Sequence, residues 1–90
     1  MTISVILPAK NEAGGLDRTL PALNACLPGV EIIVVDDGST DDTAAIATAH
    51  GATVLSSPYS MGNGAAIKRG ARAAKGDILV FMDADGQHDP

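Results

Sequence analysis

Residues 31–43 read EIIVVDDGSTDDT, from Glu31 to Thr43. The run Glu31–Val35 is almost wholly aliphatic and lacks the alternation of a half-exposed strand. It therefore reads as a strand covered on both faces. Two acids and a glycine stop it. Ser39 or Thr40 can then cap a helix whose first turn suits Asp41 and Asp42. The helix continues over Thr43–Ala49, with Ile46 and the alanines as a small packing face, and Gly51 fits its C-terminal stop. Strand, tight turn and helix in thirteen or so residues are half of a βαβ unit.

Working outward, three more apolar runs read as strands: Ile3–Leu7, Ala52–Leu55 and Asp77–Met82. A helix-like segment from Ala13 to about Leu27 carries Leu16, Leu20, Leu23 and Leu27 at helical spacing. Pro21 inside it predicts a kink or restart near Thr19–Leu20, and Pro28-Gly29 ends it. A third helix is expected from about Asn63 to Lys75, closed by Gly76. Its inner face would be Ala66, Ile67, Gly70, Ala73 and Ala74, small residues that imply close approach to the sheet. The order β-α-β-α-β-α-β, with neither repeats nor linkers, predicts an α/β fold: a Rossmann-like three-layer sandwich on a mainly parallel sheet. Ligands of such sheets bind beyond the C-terminal strand ends, where the strand order reverses.

Ninety residues suit one small domain, or a piece of a larger one, occupying 1–90. With only Tyr59 and Phe81 as aromatics, the core must come from Val, Ile, Leu and Ala. Cys26 is the single cysteine, so neither an intrachain disulfide nor a cysteine-based zinc site can form. The net charge of −5 argues against a nucleic-acid partner, since phosphate neutralisation needs clustered cations. Lys68, Arg69, Arg72 and Lys75 do gather on one segment. The solvated face of a helix is the plainer reading of them, a binding patch the sharper one. No apolar run approaches the roughly 20 residues of a membrane span, so a cytoplasmic location is expected.

The strand ends carry the chemistry. Pro8-Ala9-Lys10-Asn11-Glu12 follows the first strand, Asp36-Asp37-Gly38-Ser39 the second, and Asp83-Ala84-Asp85-Gly86-Gln87 the fourth. Carboxylates crowded at one sheet edge repel one another unless cations or donors sit among them. Residues two apart in an extended segment point the same way, so Asp83 and Asp85 can face one site. Gly86 permits a turn that brings Gln87 back as a third oxygen donor. Hard oxygen ligands left incomplete by the protein suit Mg²⁺ or Mn²⁺ shared with a diphosphate. An isolated Asp-x-Asp would merely end a strand and cap a helix; acids at two other strand ends favour the metal.

Of Asp36 and Asp37, one is expected to bond the turn backbone and the other, Asp37, to face a base N–H or ribose hydroxyl. Glu12 is either a ligand contact or ordinary dipole compensation. Met61-Gly62-Asn63-Gly64 is too incomplete for a dinucleotide fingerprint or P-loop. It reads as a flexible helix start that could lend an amide to a ligand. His50 reads as a helix end, and His88 lies beside the acids without a metal-spaced partner.

Taken together, "VILPAKNEA", "EIIVVDDGSTDDT", "MGNGAAIKRGARAAKGD" and "ILVFMDADGQHDP" resemble the family 2 glycosyltransferases over the whole chain. Within them the pattern looks most like the polyprenyl-phosphate (dolichyl-phosphate) mannose and glucose synthases. The resemblance implies the N-terminal half of a GT-A domain, which binds a UDP- or GDP-linked sugar. Pro8, Lys10 and Glu12 would line the nucleotide site, and Val35 and Asp37 would contact base and ribose. Asp83 and Ala84 would touch the nucleotide, while Asp85 would do so and, with Gln87, hold Mg²⁺ or Mn²⁺. It further implies inverting sugar transfer to a polyprenyl phosphate or glycan, at the cytoplasmic face of the membrane, with the acceptor half beyond Pro90.

Two other readings compete. One is a nucleotide-sugar and metal-binding module without turnover. The other is a haloacid-dehalogenase-type phosphatase, against which Gln87 and the late position of Asp-x-Asp both count. In the GT-A fold the strand Ile78–Met82 pairs with sheet made by later residues, so this chain is expected to expose an apolar edge there, with self-association or weak stability as the result.

Overall fold

A computed structural model of the chain describes residues 2–82. The elements run β1 (Ile3–Ala9), α1 (Ala13–Cys26), β2 (Glu31–Asp37), α2 (Thr43–Ala49), β3 (Thr53–Ser57), α3 (Asn63–Ala73) and β4 (Ile78–Phe81). The strands form one parallel sheet in the order β3-β2-β1-β4. Leu7 pairs with Val34, Val35 with Leu55, and Val5 with Val80. The chain thus winds outward from β1 through β2 to β3, then returns to the other side of β1. The reversal opens a crevice between the C-terminal ends of β1 and β4.

Strand alternation sorts the core into two layers. Val5, Leu7 and Ala9 of β1, with Ile32 and Val34 of β2, meet Leu16, Leu20 and Leu23 of α1 and Ala47 of α2. On the opposite face Ile6, Ile33 and Val35 meet Ala66 of α3, with Leu55, Ala71, Ala73 and Ala74 packed around them. Three layers result, as the alternation of strand and helix patterns predicted. Gly70 shows why the small face of α3 matters: a Cβ there would collide with Ile6 Cγ2 and lie 3.2 Å from Val35 Cγ2.

Three expectations change. Helix α1 runs through Pro21 without a break. The bond Pro21 cannot donate would have gone to the Asp17 carbonyl, and both residues face solvent, where water can satisfy it. Helix α3 ends at Ala73, two residues before Lys75. Neither Ser39 nor Thr40 caps α2. Asp41 accepts the Thr43 amide at 3.0 Å instead, and Thr43 Oγ1 donates to the same carboxylate oxygen.

His50 does end α2, and its Nε2 lies 3.0 Å from Asp17 Oδ1, joining α2 to α1. At the bottom of the sheet Ser4 Oγ and the Lys75 amide donate to Glu31 Oε1 at 2.7 and 2.8 Å. Strand β4 lies at the sheet edge, and Ile78, Leu79, Val80 and Phe81 are 37–47% exposed, as the sequence led us to expect of this strand. No described helix is long and apolar enough to cross a membrane.

Candidate functional site at the C-terminal strand ends

Parallel strands bring their C-terminal loops to one edge, so the loops after β1, β2 and β3 meet there. The first two are laced together by side chains. Asn11 holds φ at +53°, a conformation Asn tolerates better than most residues. Its amide donates to Ser39 Oγ at 2.8 Å, and its Oδ1 accepts the Thr40 amide at 2.8 Å. The Glu12 amide donates to Thr43 Oγ1 at 3.0 Å. The amides of Asn11 and Glu12, the two residues just before α1, therefore have partners from the following βα connection, which ties the two loops together.

Asp36 and Asp37 divide their work by strand alternation. Asp36 accepts the Ser39 amide at 3.1 Å, the turn-bonding role expected for one of the two. Asp37 shares the face of Ile33 and Val35, toward α3. Its carboxylate accepts Ser60 Oγ at 2.9 Å, the Met61 amide at 2.7 Å and the Gly62 amide at 3.0 Å. These use three of about four acceptor positions on a carboxylate. The Met61 amide above all, then Ser60 and Gly62, with the Lys10 charge adding to them, hold its carboxyl below the usual range. They outweigh the burial that pushes it up.

This arrangement answers part of the repulsion expected of crowded acids: Asp36, Asp37 and Asp41 are each met by donors. It also corrects one expectation, because the amides of Met61 and Gly62 serve Asp37 rather than a ligand. Gly38 fixes the close fit of the two loops. With φ at +75°, a Cβ on it would stand 2.6 Å from Ser60 N and Tyr59 C.

Pro8 is half-buried, paired with Val35 across β1 and β2. Lys10 is exposed at the edge, and Glu12 is half-buried at the start of α1. Val35 lies in the core at 1% exposure, so what it contributes to the edge is the backbone position of Asp36 and Asp37. Asp83, Ala84, Asp85, Gln87 and His88 lie outside the described residues. Met82, just before them, donates its amide to the Ile6 carbonyl at 3.0 Å, so the chain leaves the sheet beside the end of β1. Among the described residues no group of three or more His, Cys, Asp or Glu could hold a metal.

Sequence reading missed the latch of Asn11 with Ser39 and Thr40, and the clamp of Asp37 on residues 60–62. The one local signal was an Asn in a strand-to-helix loop.

A parallel 3-2-1-4 sheet with acids and an anchored loop at its C-terminal edge is a Rossmann-like α/β architecture, in which that edge is where ligands bind. The chain belongs to glycosyl transferase family 2, whose model matches residues 4–90. It is 42% identical, over 93 aligned residues, to glucosyl-3-phosphoglycerate synthase of Mycobacterium tuberculosis, which covers 93% of this chain and 29% of that protein. A crystal structure of that synthase with Mn²⁺, UDP and glucosyl-3-phosphoglycerate superposes with a TM-score of 0.82 at 41% identity, over 97% of this chain and 35% of that one. Mannosyl-3-phosphoglycerate synthase from Rubrobacter xylanophilus superposes with a TM-score of 0.83 at 33% identity, over 100% of this chain and 33% of that one.

The chain therefore spans about a third of the length of the proteins it matches. The Rossmann-like GT-A architecture expected from the sequence stands. These relatives are 3-phosphoglycerate sugar synthases, so the finer expectation of a polyprenyl-phosphate branch gains no support from them. The phosphatase reading falls with the family match.

Proposed function

We propose that this chain is the donor-binding half of an inverting glycosyltransferase that uses a UDP-sugar with Mn²⁺ or Mg²⁺. The observation that carries the reading is 41% identity over 97% of the chain with a structure holding Mn²⁺ and UDP. Pro8, Lys10, Glu12 and Asp37 line the nucleotide end, and Asp83 and Ala84 touch the nucleotide beyond β4. Asp85 and Gln87 hold the cation. When bound, that cation offsets the charge of the departing nucleoside diphosphate. The chain's own part is to fix the βα loops at one edge, so that the donor meets a preformed surface.

Calorimetry with UDP-glucose and GDP-mannose, each with and without Mn²⁺, tests this. The expected result is saturable binding of UDP-glucose that weakens when Mn²⁺ is removed. Absence of binding by either donor in Mn²⁺ would sink the reading.

For the acceptor, relatives named for making glucosyl- and mannosyl-3-phosphoglycerate favour a small phosphorylated acid over a lipid phosphate. The chain spans about a third of those relatives' length, and we place the acceptor contacts outside that third. The 90-residue chain is therefore expected to bind donor without transferring sugar. Transfer to 3-phosphoglycerate or to a polyprenyl phosphate, followed with a labelled sugar, would contradict that.

A further inference from the structure

Helix α3 carries Lys68, Arg69 and Arg72 and no acid, in a chain where eleven acids face six lysines and arginines. Ala65, Lys68, Arg69 and Arg72 stand at i, i+3, i+4 and i+7, one stripe of the helix. That stripe forms a wall of a cavity of about 180 Å³, closed on the other side by Ser57 at the end of β3 and by Asp37. Like charges at i and i+4, as at Lys68 and Arg72, oppose helix formation slightly, so the stripe gains nothing from pairing within the helix. Arg72 in the last turn suits the helix dipole, but Lys68 and Arg69 lie too far forward to share that explanation.

Arg69 is already positioned. Its Nη1 donates to the Ser56 carbonyl at 3.0 Å and to Ser57 Oγ at 2.8 Å, which leaves three of its five N–H donors. No ion pair joins Lys68 or Arg72 to an acid among the described residues. The carboxylate that does line the cavity, Asp37, is occupied by Ser60, Met61 and Gly62.

We propose that this groove between α3 and the end of β3 binds a small phosphate-type dianion, held by Arg69 as the fixed member and by Lys68 and Arg72 as the mobile ones. It adjoins the nucleotide end of the proposed donor site at Asp37 and runs from there along α3, away from β4. Three strand spacings of about 4.8 Å put β3 roughly 14 Å from β4 across the sheet. A planar guanidinium fork beside two flexible cations suits phosphate oxygens, and the apolar wall at Ala65 leaves room for a short organic stem.

Inorganic phosphate and glycerol phosphate, titrated at constant ionic strength into the ¹⁵N-labelled chain, test the proposal by amide shifts. Saturable shifts at Ser57 and across residues 65–72 are expected with at least one of them. Tighter saturation by glycerol phosphate assigns a phosphomonoester, and tighter saturation by inorganic phosphate assigns the free ion. The double variant K68Q/R72Q changes only exposed side chains, and should weaken binding about ten-fold or more, as loss of a charge-assisted hydrogen bond requires. Shifts that fail to saturate, or that persist unchanged in the variant, overturn the proposal. So does their displacement by UDP with Mn²⁺, which would make the groove part of the donor site. The phosphate arms read out whether or not UDP binds, so failure of the donor reading would be seen separately.

Discussion

Asp37 is the residue on which two loops depend. Exchanging it for Asn leaves one oxygen and a donor where three donors now converge, and removes the charge from at least one of the bonds that hold residues 60–62. Asp37→Asn should destabilise the chain by about 1–3 kcal/mol, the range for hydrogen bonds to a charged group, measured by urea unfolding at pH 7. Its depressed carboxyl also sets a pH dependence. A group whose pKa is lower folded than unfolded adds stability above its unfolded value, near 3.9 for Asp. That stability is lost as pH falls through the folded value. Glu31, bonded first by the Lys75 amide and then by Ser4, works in the same direction. Unfolding midpoints should therefore drop as pH is taken from about 5 toward 3, and the slope should be shallower in Asp37→Asn. An unchanged slope would mean that Asp37 titrates alike in both states.

At the scale of elements, the helix–sheet fit rests on Gly70. Gly70→Ala places a methyl on Ile6 Cγ2, and should cost about 1–3 kcal/mol despite the better helix propensity of Ala. Circular dichroism on heating would check it; a neutral or stabilising effect would show that α3 can move off the sheet. The elements were legible because continuous aliphatic runs such as Glu31–Val35 have no other use in so short a chain. Their ends were legible because Asp, Gly and Pro punctuate them. The α2 cap was misread for a physical reason: Ser39 and Thr40 are drawn across to Asn11, twenty-eight and twenty-nine positions away in the chain. The Asp37 clamp escaped for the same reason. Local capping rules see only neighbours in sequence, and both networks join different loops. The division between Asp36 and Asp37 could be anticipated, since alternation must send them to opposite faces.

For the molecule as a whole, the order of strands could not be read from the sequence, yet it decides which surfaces are bare. Four consecutive apolar residues of β4 are exposed, and one margin of that strand has no described neighbour. An open apolar edge of this kind invites pairing with another chain. Sedimentation velocity should show a concentration-dependent increase in mass, which Val80→Lys should suppress by placing a charge on the edge strand. A single monomeric species at all concentrations would remove the prediction.

The pairing of β1 with β4 also has a temporal side. Ile78 reaches back to the Thr2 carbonyl at 3.1 Å, so the start of β1 gains this partner only after about seventy-five further residues have been made. During synthesis β1 can zip to β2 long before β4 leaves the ribosome. The crevice between β1 and β4 therefore forms after the other described strands have paired, at the cost of the longest loop closure among the described pairings. The same seam should open first in the finished protein. Amides of β4 ought to exchange with solvent well ahead of those in β2, which has a partner on each side.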